Sequence, residues 1–138
     1  MARILVIDDD DDVRSVIRRV LQTDGHDVVE AADGKAGMKL FRESPADLVV
    51  TDLFMPEQEG LETIRELRRS SKDTKILVVT GSPPGGPFDF RAHATLLGAG
   101  ATLNKPFTRE ELLGAVHAIL GTQSPKADDA RARRPGPT

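Results

Sequence analysis

The sequence of 138 residues contains no cysteine, and none of its apolar runs is long enough for a membrane-spanning helix. The lack of cysteine excludes disulfide bonds, thiolate metal sites and a cysteine nucleophile. The first apolar run stops at Asp8, which is too early for a secretory signal peptide. The net charge of −3 is small and gives no case for nucleic-acid binding. We therefore expect a soluble, cytoplasmic protein with no nucleic-acid or membrane partner.

The length fits one ordinary domain, in which short apolar runs alternate with amphipathic segments. The runs resemble buried strands, and the segments carry apolar residues at the spacing of one helix face. Five strands are predicted at residues 3–7, 27–31, 47–52, 75–80 and 101–104. Five helices are predicted at about residues 13–21, 34–43, 61–67, 89–97 and 109–120. This alternation is typical of an α/β fold, a five-stranded parallel sheet with helices on both faces.

Polar side chains collect where the predicted strands end. They are Asp8 and Asp9 after the first strand, Asp52 at the end of the third, Thr80 at the end of the fourth and Lys105 after the fifth. Because sites in parallel sheets form at the carboxyl ends of the strands, we expect these five side chains to converge on one edge. Each alone fits an ordinary turn residue, but the five together favour a functional site.

Asp52 is the most demanding of these residues. It ends the apolar run of residues 47–52, and Pro56 prevents that run from continuing as regular structure. A carboxylate at the tip of a buried strand is costly unless it is paired, hydrogen-bonded or bound to a metal. The run alone leaves open whether Asp52 caps a turn or belongs to a site.

Five consecutive aspartates, residues 8–12, follow the first strand. An EF-hand calcium loop starting at Asp8 needs glycine at its sixth position and glutamate at its twelfth, where this chain has Val13 and Arg19. That motif is therefore excluded. Residues 10–12 are instead predicted to stabilise the first turn of the following helix through its dipole.

The three histidines, His26, His93 and His117, are scattered along the chain. They lack the short spacing that marks a histidine metal site, and the sequence indicates no acidic partner for them. We expect surface or satisfied histidines with no catalytic role.

A set of motifs occurs in a recognisable order along the chain. They are Asp8-Asp9, Asp52, Met55-Pro56, Gly60, Thr80, Gly98-Ala99 and Lys105-Pro106-Phe107. With these motifs the chain resembles the receiver domain of response regulators in two-component signalling, over about residues 3–120. The resemblance implies a flavodoxin-like fold with strand order 2-1-3-4-5. We expect a receiver domain over residues 1–121, a disordered tail over residues 122–138, and no output domain after it.

The resemblance also implies a role for each polar residue at the strand ends. Asp52 would accept a phosphoryl group from a sensor histidine kinase or a phosphotransfer protein. Asp8, Asp9 and Asp52, with the backbone carbonyl of Phe54, would hold Mg²⁺, since this ion prefers oxygen ligands. Bound Mg²⁺ would neutralise charge on the incoming phosphoryl oxygens.

Lys105 and Thr80 would respond to the new group. Lys105 would pair with the phosphoryl oxygens, and Thr80 would hydrogen-bond to them. The Lys105-Pro106 bond is cis in the family. Phosphorylation adds roughly −1.5 to −2 of charge, so movement of both side chains would signal to a downstream protein at the surface from the fourth helix to the fifth strand. The resemblance therefore implies that the protein is not an enzyme but a signalling phosphoacceptor, which takes part in its own phosphotransfer and slow autodephosphorylation.

The sequence departs from the family at two places. Thr102 stands where an aromatic residue often turns inward on activation, and the loop over residues 81–87 is rich in proline and glycine and looks long. The acids, Thr80 and Lys105 favour the phosphoacceptor, while these departures leave open an alternative function, a phosphorylation-independent adaptor with the same fold. A third hypothesis, a phosphohydrolase with an aspartate nucleophile, is weaker because Phe54 stands where its general acid is needed.

Overall fold

The computed structural model describes residues 2–52, 59–81, 85–86 and 91–121. Its elements are β1 (Arg3–Ile7), α1 (Asp11–Thr23), β2 (Asp27–Ala31), α2 (Gly34–Glu43), β3 (Leu48–Asp52), α3 (Glu59–Ser70), β4 (Lys75–Thr80), α4 (Arg91–Leu96), β5 (Ala101–Asn104) and α5 (Arg109–Leu120). The strands form one parallel sheet in the order β2-β1-β3-β4-β5. The predicted α/β fold and its strand order are confirmed.

The central strands lie between two layers of helices. Successive side chains of a strand point to opposite faces, so Leu5 and Ile7 pack with α2, α3 and α4, whereas Ile4 and Val6 pack with α1 and α5. All four side chains are almost completely buried. Because both faces are apolar, charged side chains of β1 and β3 occur only at strand termini: Arg3 begins β1 and Asp52 ends β3.

Local signals define the start of two helices next to the carboxyl edge of the sheet. Asp10 is the N-cap of α1, and its carboxylate accepts the amide N–H groups of Asp12 and Val13. Thr108 begins α5 with a reciprocal capping box, in which Thr108 and Glu111 each accept the backbone N–H of the other. The cap at Asp10 agrees with the predicted role of residues 10–12 at the start of this helix.

Gly37 in α2 allows this helix to approach β1 closely. A Cβ atom at Gly37 would lie 2.5 Å from Ile7 Cδ1 and 2.8 Å from Ile7 Cγ1. The glycine weakens the helix intrinsically, but this contact gives a physical reason for its presence.

Two boundaries differ from the predictions. Helix α3 begins at Glu59, so Gly60 lies inside the helix and does not precede it. Helix α4 is described only from Arg91 to Leu96 because residues 87–90 lie outside the described residues. The predictions for Phe54, for most of the loop at 81–87 and for the tail at 122–138 also lie outside them. No helix in the described parts of the chain is long and apolar enough to cross a membrane.

Candidate functional site

The carboxyl edge of the sheet brings the predicted site residues together. Asp8 directly follows β1, and Asp52 is the last residue of β3. Asp52 is aligned with Val79 on β4, so Thr80 lies one residue farther along the neighbouring strand. Thr80 is in turn aligned with Asn104 on β5, which places Lys105 next beyond the edge. Parallel register therefore collects residues that are far apart in the sequence.

Three aspartates form a compact acidic cluster at this edge. Asp8, Asp9 and Asp52 each offer a carboxylate oxygen, and these oxygens lie within 4.8 Å of one another. Asp8 is only 1% exposed and Asp52 only 6%, whereas Asp9 is exposed to solvent. Two buried carboxylates at this separation repel each other, so the cluster needs a cation.

The Lys105 ammonium supplies one positive charge to the cluster. Its Nζ donates hydrogen bonds to Asp8 Oδ2 at 2.9 Å and to Asp52 Oδ2 at 3.0 Å. Burial lowers the pKa of Lys105, but the hydrogen bonds and charges of Asp8 and Asp52 outweigh it and raise the net pKa above the usual value. Lys105 therefore keeps its proton at neutral pH and bridges the two buried acids.

The backbone fixes Lys105 in this position. Its amide N–H donates to the carbonyl oxygen of Thr80 at 2.9 Å, and the Lys105-Pro106 peptide bond is cis, as the family resemblance implies. Thr80 itself is fully buried. The ends of β4 and β5 are therefore tied together beside Asp52.

The cluster has the donor atoms that suit a magnesium ion. Even with Lys105 present, three carboxylates and one ammonium leave an excess of negative charge. Carboxylate oxygens are hard ligands, which favour Mg²⁺ over softer transition metals. The residues Asp8, Asp9 and Asp52 thus fit the predicted metal, while the Phe54 carbonyl lies outside the described residues.

Asp8 is held in place by its own loop. Its Oδ1 atom accepts the Asp10 amide N–H at 2.9 Å, and its own amide N–H donates to the Ala31 carbonyl at 3.2 Å. Asp11 and Asp12 lie in the first turn of α1, as predicted, where negative charge is favourable. The acidic run therefore divides into site residues and helix-capping residues.

Sequence reasoning missed a second cluster at the opposite edge of the sheet. Asp24 Oδ2 lies 3.0 Å from His26 Nε2 and 2.7 Å from His117 Nε2. Both histidines have hydrogen-bond partners, as predicted, but no local pattern indicated that they share one acid. Asp24 lies 93 residues before His117 in the sequence. The link depends on packing between the ends of α1 and α5.

The hydrogen bonds of His26 decide the chemistry of this second cluster. The Ala2 amide N–H donates to His26 Nδ1 at 3.0 Å, so that nitrogen carries the lone pair. The proton of the neutral ring is therefore on Nε2, which donates to Asp24. A protonated Nε2 cannot bind a metal, so the three residues form a hydrogen-bonded group and not a metal centre in this conformation.

Asp24 is stabilised as a carboxylate by these partners. Partial burial raises the pKa of Asp24, but the hydrogen bonds from His117 and His26 lower it by more, which leaves the net pKa below its usual value. Asp24 therefore joins the ends of two helices as a carboxylate.

An apolar hollow borders the acidic cluster. It has a volume of about 390 Å³ and is lined by Asp12, Val13, Val16, Lys105, Pro106 and Phe107. Val16 is 44% exposed, which is unusual for a large aliphatic side chain in this structure. The hollow therefore places an apolar surface next to the ammonium that holds Asp52.

Comparisons with known proteins agree with this geometry. The family model described as the response regulator receiver domain matches residues 4–117. The response regulator MprA of Mycobacterium sp. (strain KMS) is 41% identical over 123 residues, which cover 89% of this chain and 52% of that protein. The chain therefore spans about half the length of the curated relatives it matches.

Solved structures show the same likeness. The chemotaxis protein CheY4 of Vibrio cholerae superposes with a TM-score of 0.78 at 30% identity, covering 86% of this chain and 98% of CheY4. A response regulator receiver domain protein from Clostridium thermocellum gives a TM-score of 0.78 at 31% identity, covering 88% and 95% of the two chains. Both similarities extend over nearly the whole described fold.

Proposed function

Because the chain belongs to the response regulator receiver domain family of two-component signalling, we propose that it accepts a phosphoryl group on Asp52 and thereby changes its binding to a partner. The observation that supports this best is the bridge made by Lys105 between Asp8 and Asp52 within an acidic cluster. A carboxylate is a weak nucleophile toward a phosphoryl group, and this cluster provides what it needs. The acids would bind a cation, and the ammonium is already in place.

Asp52 is the nucleophile in this proposal. One Asp52 carboxylate oxygen forms a bond to phosphorus while the bond from phosphorus to the donor nitrogen breaks, and the electron pair of that bond goes to the donor. Asp8 and Asp9, with Asp52, would hold Mg²⁺, which when bound would neutralise charge on the phosphoryl oxygens. The Lys105 ammonium leaves its hydrogen bond to Asp52 and donates to a phosphoryl oxygen instead, since its raised pKa keeps it protonated.

The same contacts provide a route for the signal. The phosphoryl group brings strong acceptors to the carboxyl edge, and Thr80 offers a hydroxyl at the end of the neighbouring strand. Since the Lys105 amide is bonded to the Thr80 carbonyl, displacement of either residue affects the segments that follow β4 and β5. A downstream protein would read the change at the surface from α4 to β5, where Leu96 is 85% exposed.

The phosphodonor is a sensor histidine kinase or a phosphotransfer protein. Such a donor must bring a phosphohistidine to Asp52. The apolar hollow lies beside Lys105, which contacts Asp52, and its apolar lining is Val13, Val16, Pro106 and Phe107. An apolar surface of the donor that fills the hollow would orient the transfer. The cytoplasmic location stays a prediction.

A phosphorylation-independent adaptor is the alternative. Thr102 lies on β5, partly buried and aligned with Val78, in the place where an aromatic residue often acts as the switch. Signal transmission through that position therefore differs from the family pattern, and constitutive docking remains an alternative for the same surface.

Intact-protein mass after incubation with Mg²⁺ and acetyl phosphate separates the two functions. We expect one added phosphoryl group in the wild type and none in Asp52→Asn or in the presence of EDTA. Asp47→Asn is a matched control, because Asp47 lies at the opposite edge of the sheet and should leave labelling unchanged. Absence of an adduct in the wild type, together with failure to bind beryllofluoride, would favour the adaptor.

A further inference from the structure

Arg14 makes an unusual set of contacts beside the acidic cluster. Its side chain, only 15% exposed, extends from the first turns of α1 toward the end of β1. Arg14 Nη1 donates to the backbone carbonyl of Asp8 at 2.6 Å, Nε donates to Glu30 Oε1 at 3.2 Å, and Nη2 donates to Asp11 Oδ1. One guanidinium therefore connects β2, α1 and the loop that carries the acids.

The Asp8 carbonyl is a sensitive point in this loop. It belongs to the peptide that joins Asp8 to Asp9, so its orientation sets the direction in which both side chains leave the backbone. The Asp8 carboxylate has further anchors in the Asp10 amide and Lys105. In the parts of the chain that the structure describes, the Asp9 carboxylate has no hydrogen-bond partner, so Asp9 depends on its backbone for position.

Glu30 holds the guanidinium in turn. It lies on β2, and its second oxygen, Oε2, is 2.8 Å from Arg18 Nε. Arg18 is close enough to Glu30 for an ion pair but is not aligned for a hydrogen bond, and within the described residues its Nε atom makes no hydrogen bond to the acid-bearing loop. Arg14 and Arg18 thus share an anchor, yet only Arg14 reaches the acid-bearing loop.

We propose that Arg14 is a positioning residue for the cation site: anchored by Glu30, it fixes the Asp8–Asp9 peptide so that both carboxylates face one Mg²⁺. The inference rests on the proposed function of the acidic cluster. Residues that orient metal ligands through hydrogen bonds typically change metal affinity 10- to 100-fold when they are replaced. Arg14 acts here through a backbone carbonyl, so an effect of about tenfold is expected.

The positive charge of Arg14 and its positioning of the loop have opposite effects on Mg²⁺ affinity, so a substitution can distinguish them. If Arg14 acted only by its positive charge, its removal would tighten binding of a cation to the acids. If it positions the loop, its removal weakens that binding. Arg14→Lys retains the charge but loses the planar fork that contacts three groups at once.

The experiment is a calorimetric titration of Mg²⁺ into the full chain, since the sequence has no tryptophan or tyrosine to report binding by fluorescence. We expect Arg14→Lys and Arg14→Gln both to weaken Mg²⁺ binding about tenfold. The matched control Arg18→Lys should remain within about twofold of the wild type, because it touches the shared anchor only. Unchanged affinity in Arg14→Lys, or tighter binding in Arg14→Gln, would overturn the inference.

A second readout separates positioning from a loss of folding. The rate of phosphorylation by acetyl phosphate is measured against Mg²⁺ concentration, below the unfolding temperature of each variant. Arg14→Lys should need about tenfold more Mg²⁺ for half-maximal rate and should recover most of the wild-type maximum. Should Arg14→Lys fail to fold, Glu30→Gln removes the anchor while keeping Arg14, and it should shift the Mg²⁺ dependence in the same direction.

The two proposals fail in distinguishable ways. A wild-type chain that binds no Mg²⁺ refutes the proposed function and this inference together. If the wild type binds Mg²⁺ and the variants Arg14→Lys and Glu30→Gln bind it with the same affinity, only this inference is refuted.

Discussion

Replacement of Lys105 by methionine tests the central contact of the site. The substitution keeps a long unbranched side chain and removes the ammonium, so Asp8 and Asp52 lose a cation that contacts them at 2.9 and 3.0 Å. These two carboxylates are almost completely buried and cannot recover the loss fully from water. We expect the variant to be less stable than the wild type at neutral pH.

Two hydrogen bonds to charged groups set the size of this loss. A hydrogen bond to a charged group contributes roughly 1.5–3 kcal/mol, and Lys105 makes two. Its side chain is 20% exposed, so solvent screens part of the interaction. A decrease of about 2–4 kcal/mol in the free energy of unfolding follows for low ionic strength.

The pH dependence has a definite sign. The pKa of Lys105 in the folded protein is raised above its unfolded value of 10.5. Its contribution is therefore fully present below pH 10.5 and is lost as the pH rises through the folded pKa. The difference in stability between wild type and variant should accordingly narrow in strongly alkaline solution.

Urea unfolding followed by far-ultraviolet circular dichroism measures both effects. Lys75→Met is the matched control, since Lys75 is exposed at the opposite end of β4, and it should change stability by no more than about 0.5 kcal/mol. Added Mg²⁺ should stabilise Lys105→Met more than the wild type, because the two acids then lack their ammonium. Equal urea midpoints for wild type and Lys105→Met, or no greater effect of Mg²⁺ on the variant, would refute the reasoning.

Two further predictions concern the surroundings of the site. Val16→Asp places a charge in the apolar hollow. With a histidine kinase domain that phosphorylates the wild type, transfer to this variant should be about tenfold slower, roughly 1.4 kcal/mol, whereas labelling by acetyl phosphate should be unchanged. An equal loss of labelling with both donors would contradict this. Because the folded-state pKa of Asp24 is lowered, its contribution to stability is present above the unfolded value of 3.8 and is lost as the pH falls through the folded pKa. Asp24→Asn should therefore be less stable than the wild type at pH 6, and the gap between their urea midpoints should close in strongly acidic solution; a gap of constant size would show that Asp24 acts by some other means.

The candidate site could be predicted from the sequence because the carboxyl ends of parallel strands lie at the same edge of a sheet. Once β1, β3, β4 and β5 are recognised as strands of one parallel sheet, their last residues must meet at one edge. Asp8, Asp52, Thr80 and Lys105 could therefore be placed there without knowledge of any contact. The cap at Asp10 and the capping box at Thr108 were also predictable, because each involves residues only two or three positions apart.

The sequence by itself determined the elements, the sheet and the edge at which the acids gather, since hydrophobic period and helix caps are local properties. Only the tertiary structure decided how side chains from different elements pair. Lys105 contacts Asp8 across 97 residues, and His117 contacts Asp24 across 93. Arg14 reaches the Asp8 carbonyl only because α1 packs against β2 and brings Glu30 alongside. Such contacts depend on how helices are set against the sheet and on side-chain rotamers, which no local pattern in the chain records.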